Sequence, residues 1–335
     1  MLTIRKATKT VLMLMLVFII LTVVGCSNSN TEENGNKLQN ITVVLDWTPN
    51  TNHTGLYVAR DMGYYEEEGL NVTIVQPGEA GADTMVAAGD AQFGVSYQES
   101  VTLARIQNVP LVSIAAVIQH NTSGFAAPVS KNIRTPKDFE GKVYGGWGSP
   151  VEDAMIQSLM INENADSTKV ENVSMGDADF FTAVKRDIDF AWIYYGWTGM
   201  EAELRGEEID MVYLRDYAKE LDYYTPVLVT NETMIDEQPD TVKAFMKATA
   251  QGYQYAMDQP DKAADLLVKA EPDLDAKLVK ASQQWLRSRY QDDAPRWGEQ
   301  KLEVWQNYAA WMEKYKLLEG TLDSEKAFTN DFLPR

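Results

Sequence analysis

Apolar residues in the first part of the chain fall into short runs separated by polar, glycine-bearing stretches. Residues 41–46 (ITVVLD), 71–76 (NVTIVQ), 91–96 (AQFGVS) and 111–118 (LVSIAAVI) are four such runs. Rich in Val and Ile and bounded by turn formers, they predict buried strands. Between the first two, HTGLYVARDMGYYEEEGL predicts one helix with Leu56, Ala59 and Gly63 on a common side, ended by Gly69. A glycine-rich loop, PGEAGAD, and a helix over DTMVAAG come after the second. Strands alternating with helices predict βαβ units and a largely parallel sheet.

After His120 the alternation starts again. TPKDFEGKVYGG predicts a helical turn and a strand at 142–145, then a helix at about 152–162. Further strands are predicted at 170–175, 188–195, 209–214 and 226–231. No segment repeats at a fixed period, which favours two α/β lobes over a solenoid.

The last third switches to helical periodicity. Val242, Phe245, Met246 and Thr249 fall at i, i+3, i+4 and i+7, and Leu302, Trp305, Ala309 and Met312 keep one face in the same way. Such amphipathic helices must pack on something, which makes Trp305 and Trp311 core or docking residues. The simplest packing returns this block to the first lobe. The chain then crosses between lobes twice, near 119–123 and 223–230, giving a first lobe of 40–120 plus 231–335 and a second of 121–230. The fold class is therefore α/β with two lobes, and in such an architecture a ligand binds between the lobes and closes them.

The amino terminus carries a different pattern. Arg5, Lys6 and Lys9 precede an apolar run from Val11 to Val24, and Gly25 and Cys26 come directly after it. A basic segment, an apolar segment and small residues describe a secretory signal over 1–25. The VVGC ending resembles the bacterial lipobox, in which the cysteine becomes the lipid-modified first residue. Cys26 is the only cysteine in 335 residues, so no disulfide can form within the chain. Residues 26–39 then read as a polar tether, and the expected place is the outer face of a bacterial cell membrane, anchored by lipid rather than by a span.

The leader holds three of the 30 basic residues and none of the 49 acidic ones, so the rest of the chain carries 27 against 49, a net charge of −22. That balance argues against nucleic acid, which needs a basic face. Two separated histidines and no free cysteine do not build an ordinary metal site, and no cofactor is implied.

In open α/β lobes, ligands sit beyond the carboxyl ends of strands. That rule selects four places. Asp46, Trp47, Asn50 and His53 lie after the first strand, and Tyr97, Gln98, Glu99 and Ser100 after the third. Gly146, Trp147, Gly148 and Glu152, then Trp192, Tyr194 and Tyr195, lie at strand ends of the second lobe. Each place combines an aromatic with a polar group, and none contains an Arg or Lys.

Several of these residues also have plain structural readings. Thr48 is the preferred cap of the next helix, a role open to Asp46 as well. His120, beside a crossing, reads as structural. GGWGSP predicts a strand-to-helix turn that exposes backbone N–H groups, and Glu152 either caps that helix or meets the ligand. Strand alternation sets Trp192 and Tyr194 against Ile193 and Tyr195, so at least one of these aromatics is core.

The stretch from LDWTPNTNHTGLYVARDMGYYEEEGLNV through GDAQFGVSYQES, continued by TPKDFEGKVYGGWGSPVEDAM and IDFAWIYYGWTGMEAELRG, resembles the thiamine-pyrimidine synthase/ThiY superfamily. The resemblance covers nearly all of the chain beyond Asn40. It implies a type II periplasmic-binding-protein fold, an ABC importer permease and ATPase as partners, and a formylated aminomethylpyrimidine as ligand. It also favours Tyr195 as the contact among the second-lobe aromatics.

An aminopyrimidine matches the residue types: Trp or Tyr for its faces, Asp46, Glu99 or Glu152 for its amine, and Asn50 or Gln98 to pair both ways. A riboflavin-type heterocycle or an alkyl sulfonate is the alternative within the class. The synthase members carry a lysine and a histidine where this chain reads SYQES, and a cysteine-rich run where it reads YYTPVLVTN, so the resemblance favours binding over synthesis.

Overall fold

The computed structural model describes residues 38–175 and 178–335; the leader, Cys26 and nearly all of the tether lie outside that range. Among the described residues, ten strands form two five-stranded sheets. The first-lobe strands are β1 (Gln39–Val44), β2 (Leu70–Val75), β3 (Phe93–Ser96) and β4 (Leu111–Ala116). The second lobe adds β5 (Ser123–Pro128), β6 (Val143–Gly146), β7 (Glu171–Ser174), β8 (Phe190–Tyr194) and β9 (Ile209–Tyr213), and β10 (Val227–Asn231) comes last.

Both sheets repeat one topology. The first runs β2-β1-β3-β10-β4 and the second β7-β6-β8-β5-β9. β1 pairs in parallel with β2 and β3, and β6 with β7 and β8. β10 lies antiparallel to β3 and β4, and β5 antiparallel to β8 and β9. Neither sheet is thus wholly parallel. The reason is the crossing: a chain that enters a sheet from the other lobe starts at the cleft, where the parallel strands end, and so runs against them.

The position of β10 moves a boundary. Because it is a strand of the first sheet, the return crossing ends before Val227, and residues 227–230 belong with the first lobe. β5 gives no apolar run because it is built from small residues, SGFAAP, all but Pro128 buried. At Gly124 a side chain would run into the Val212 carbonyl oxygen, so the paired backbones exclude anything larger.

Helices confirm the periodicity with one break. The stretch after β1 is a 3-10 turn, Thr51–His53, then helices Thr54–Asp61 and Tyr64–Glu67. Gly63 adopts a left-handed φ of 79° between them and prevents one continuous helix. The helix Pro239–Asp258 buries Val242, Phe245, Met246 and Thr249, with Phe245 stacked on Phe93 of the first sheet.

The last helix, Leu302–Lys314, does more than return to the first lobe. Trp305 and Ala309 pack with first-lobe residues such as Val44 and Val86. Tyr308, Trp311 and Met312 enter the second-lobe core around Phe125 and Phe190, and Trp311 Nε1 donates to Ser158 Oγ at 3.0 Å. One amphipathic helix therefore serves both cores. Among the described residues no helix is long and apolar enough to cross a membrane.

Helix Pro239–Asp258 approaches helix Thr54–Asp61 closely at Gly252, where a Cβ would strike the Gly55 carbonyl oxygen and crowd Ala59. Gly252→Ala is expected to destabilise the fold by about 1–3 kcal/mol through overpacking, read as a lower urea midpoint at unchanged slope. An unchanged midpoint would show that the helices separate freely there.

Candidate functional site

Strand β1 delivers Leu45 into the core and Asp46 to its carboxyl end. The chain must then turn into a helix, and Asn50 makes that turn. Its Oδ1 accepts from the Asn52 N–H at 2.9 Å, and its Nδ2 donates to the Thr48 carbonyl at 3.0 Å. Asn50, rather than Thr48, is the cap. Its own backbone N–H donates to His53 Nδ1 at 3.2 Å, which places the ring proton on Nε2. Nε2 faces Asp46 Oδ1 at 2.6 Å, and the Tyr97 hydroxyl donates to Oδ2 at 2.7 Å. Burial pushes the Asp46 carboxyl up, but the His53 ring and the hydrogen bonds from His53 and Tyr97 outweigh it and hold the group below its ordinary value.

His53 and Asn50 were expected as contacts; both are buried and committed to the protein. They position Asp46. Gln98 has the same outcome: its Oε1 accepts from the Tyr224 N–H at 2.8 Å and its Nε2 donates to the Val304 carbonyl at 3.3 Å. It pins the helix start to the return crossing.

Beside it, Glu99 has one weak partner among the described residues, the Tyr308 hydroxyl at 3.5 Å. Burial pushes this carboxyl up to about 7, opposed by Tyr308 and reinforced by Glu152 of the second lobe. Asp83, at the start of helix Gly81–Ala88, is a further acid that does not stand among the four expected places. Burial raises it, the Ser96 and Ser100 hydroxyls oppose that, and Asp46 adds to it.

In the second lobe, β6 ends in Gly145-Gly146 and the chain turns through Trp147 and Gly148, the latter at a left-handed φ of 84°. Glu152 is buried and saturated. Tyr144 donates its hydroxyl to Oε1 at 2.6 Å, the Ser149 N–H reaches Oε2 at 2.9 Å, and the Trp147 N–H reaches both oxygens. Ser149 is thus the cap of the helix, its hydroxyl accepting from the Val151 N–H, and Glu152 is its capping-box partner, occupying the Trp147 and Ser149 N–H groups that would otherwise be open to a ligand. A Cβ at Gly146 would come within 2.5 Å of Glu152 Oε1, so this residue makes room for the carboxylate rather than touching a ligand through a side chain.

Trp147 stands 54% exposed, edge-on to Trp192 at 6.3 Å between centroids. Trp192 stacks on Tyr194 at 6.2 Å, and its indole N–H is buried with no partner among the described residues. The Tyr194 hydroxyl lies 3.2 Å from Thr225 Oγ1 in the return crossing. Burial raises the Tyr194 phenol, Thr225 opposes, and Glu99 and Asp46 raise it further. Those two first-lobe acids therefore act on Tyr194 from the other lobe. Tyr195, the expected contact, instead donates to Glu203 at 2.7 Å and packs against Tyr213 and Trp285. Alternation along β8 sets Tyr194, not Tyr195, beside Trp192, and the structure keeps to that alternation.

Trp47, 55% exposed, stands on the opposite lobe from Trp147. The strand ends and the loops after them thus carry Asp46, Tyr97, Glu99, Asp83, Trp192 and Tyr194, and the Trp47 and Trp147 indoles stand exposed in the loops after β1 and β6. Two lobes with exchanged strands of this topology define the architecture of type II periplasmic solute-binding proteins. The chain belongs to the NMT1/THI5-like family, whose model matches residues 50–263. It is 27% identical to the formylaminopyrimidine-binding protein of Halalkalibacterium halodurans, over 94% of this chain and 97% of that protein. It is also 27% identical to the 4-amino-5-hydroxymethyl-2-methylpyrimidine phosphate synthase of Legionella pneumophila, over 88% and 92%. Among solved structures, the periplasmic aliphatic sulphonate binding protein SsuA of Escherichia coli superposes with a TM-score of 0.68 at 13% identity, covering 86% of this chain and 91% of that one.

A carboxyl raised by the fold stabilises it fully below its unfolded value, here 4.5, and that contribution is lost as pH rises towards about 7. Glu99→Gln is expected to stabilise the ligand-free protein at pH about 8 by on the order of 2 kcal/mol and to leave it unchanged at pH about 4. Equal denaturation midpoints for variant and parent across that range would show that Glu99 ionises freely.

Proposed function

We propose that this chain is the extracytoplasmic solute-binding component of an ABC importer, anchored by lipid on Cys26, and that it captures N-formyl-4-amino-5-aminomethyl-2-methylpyrimidine between its lobes. The observation that carries the ligand class is the cleft itself: carboxylates and aromatic faces, with no Arg or Lys in the strand-end loops that build it. Glu99 retains acceptor capacity, and Asp46 is held ionised by His53 and Tyr97 at the end of β1. Together they suit the amine and ring-nitrogen edge of a weakly basic heterocycle. Trp47, Trp147 and the Trp192–Tyr194 pair suit its faces. The likeness to a formylaminopyrimidine-binding protein over almost the whole of both chains supports the same choice.

A sulfonate is disfavoured chemically. The N–H groups of Trp147 and Ser149 that such an anion needs are already bonded to Glu152. A synthase is disfavoured by the SYQES loop, which holds neither lysine nor histidine, and by the single cysteine. The acceptor of the captured ligand is then the importer's permease, with its ATPase driving transport.

The purified mature domain, titrated with the formylated pyrimidine and separately with taurine, tests this reading by tryptophan fluorescence. The pyrimidine is expected to bind and taurine to give no response; the reverse pattern would overturn the ligand class. Because Trp47 is exposed, Trp47→Ala is expected to weaken pyrimidine binding about 3–10-fold while leaving the thermal midpoint of the empty protein unchanged. A large loss of stability would make Trp47 a core residue instead.

A further inference from the structure

Outside the cleft, the two crossings meet at a histidine. His120 lies on the outgoing crossing between β4 and β5, and its Nδ1 is 2.7 Å from Asp222 Oδ2 on the return crossing. Its Nε2 is 3.3 Å from Asp293 Oδ1, in the first-lobe loop that lies along β4. The loop is fixed there by the Ala116 N–H bonded to the Gly298 carbonyl. Both ring nitrogens thus face carboxylate oxygens, an arrangement in which both must donate, and only the imidazolium has two N–H groups.

The surroundings favour that cation. Asp292 adds a third acid, and Lys301 lies 3.5 Å from Asp293 on its far side. Arg289 and Glu299 approach through backbone carbonyls that accept from Gln119. Asp222 meanwhile accepts from the Asn121 N–H at 2.9 Å, and Asn121 Nδ2 donates to the Leu221 carbonyl, so the crossings are laced together directly after the ring in the chain. The hydrogen bond to Asp222 raises His120 above its ordinary value, burial opposes, and the acids add.

We propose that protonated His120 is a latch on the interlobe hinge, joining both crossings to the first-lobe loop and holding the lobes in the arrangement described here. Loss of the proton leaves the ring one N–H for two acceptors. One tie breaks, and an unprotonated nitrogen then faces a carboxylate, which is repulsive. The latch is therefore complete at acidic pH and released as pH rises through the titration of His120. Because the imidazolium is favoured by the latched state, low pH favours that state and high pH permits the lobes to leave it. A tethered domain on the outer face of a cell meets such pH changes directly, which a cytoplasmic one does not. The inference stands on the hinge geometry and holds whatever the cleft binds.

Its test uses the ligand-free mature domain. With two histidines in the sequence, proton NMR resolves His120 from the buried His53. A spin-label pair, one label on each lobe, reports the interlobe distance from pH about 5 to about 8. His120 is expected to titrate above 6.5, and the fraction of molecules at the interlobe distance of the described arrangement to fall several-fold through that midpoint. His120→Gln, which keeps one donor and cannot titrate, is expected to give a distance distribution independent of pH. A wild-type distribution unchanged across the titration would overturn the latch. So would a midpoint at or below 6.5, which is measured on the parent protein and needs no variant to fold.

Discussion

The exchange of strands between the lobes is the constraint on which the rest of the structure depends. Each sheet takes its fourth strand from chain that has just left the other lobe, β5 into one and β10 into the other. That strand must start at the cleft and run antiparallel, so the parallel strands of both sheets end there. All the recognition loops are consequently aimed at one space, and the two crossings are forced to lie side by side. Helix Leu302–Lys314, packed on both cores, adds a third connection between lobes.

Within that space, chemistry is set by how each acid is supplied with donors. Asp46 has two, from His53 and Tyr97, and stays ionised despite burial. Glu152 has donors at both oxygens and is spent on holding a turn. Glu99 has one distant hydroxyl and is driven upward. Three carboxylates that look alike in the sequence thus have three environments: Asp46 lowered by donors on both oxygens, Glu152 saturated in a capping box, and Glu99 raised by burial with one weak donor among the described residues. The difference between them lies in second partners such as Asn50, Tyr144 and Tyr308, which are remote in the chain or carry no sign of the pairing in their neighbours.

The same dependence on second partners explains what the sequence did and did not reveal. Strand ends were legible because apolar runs stop there, and they located Asp46, Tyr97, Glu99, Trp147 and Trp192 in the right elements. The internal commitments of Gln98 and His53 were not legible, since their partners Tyr224, Val304 and Asn50 depend on tertiary packing or on an unseen cap. Strand β5 escaped because Ser, Gly and Ala carry no hydrophobic signal, although close backbone pairing demands them. Tyr194 was readable from alternation alone, and Asp83 from the same strand-end rule applied after β2. His120 reads as structural beside a crossing, and its two carboxylate partners, Asp222 and Asp293, are too far away in sequence to be legible there.

The proposed ligand, a flat and weakly basic ring, would be held between the lobes by acids on its edge and aromatic residues on its faces. A crystal structure of the mature domain grown with the formylated pyrimidine is the direct test. The expected density places the ring between the lobes, its amine edge within hydrogen-bond distance of Asp46 or Glu99 and one face against Trp192 or Tyr194. An occupied site elsewhere on the second lobe, with the cleft carboxylates untouched, would contradict it.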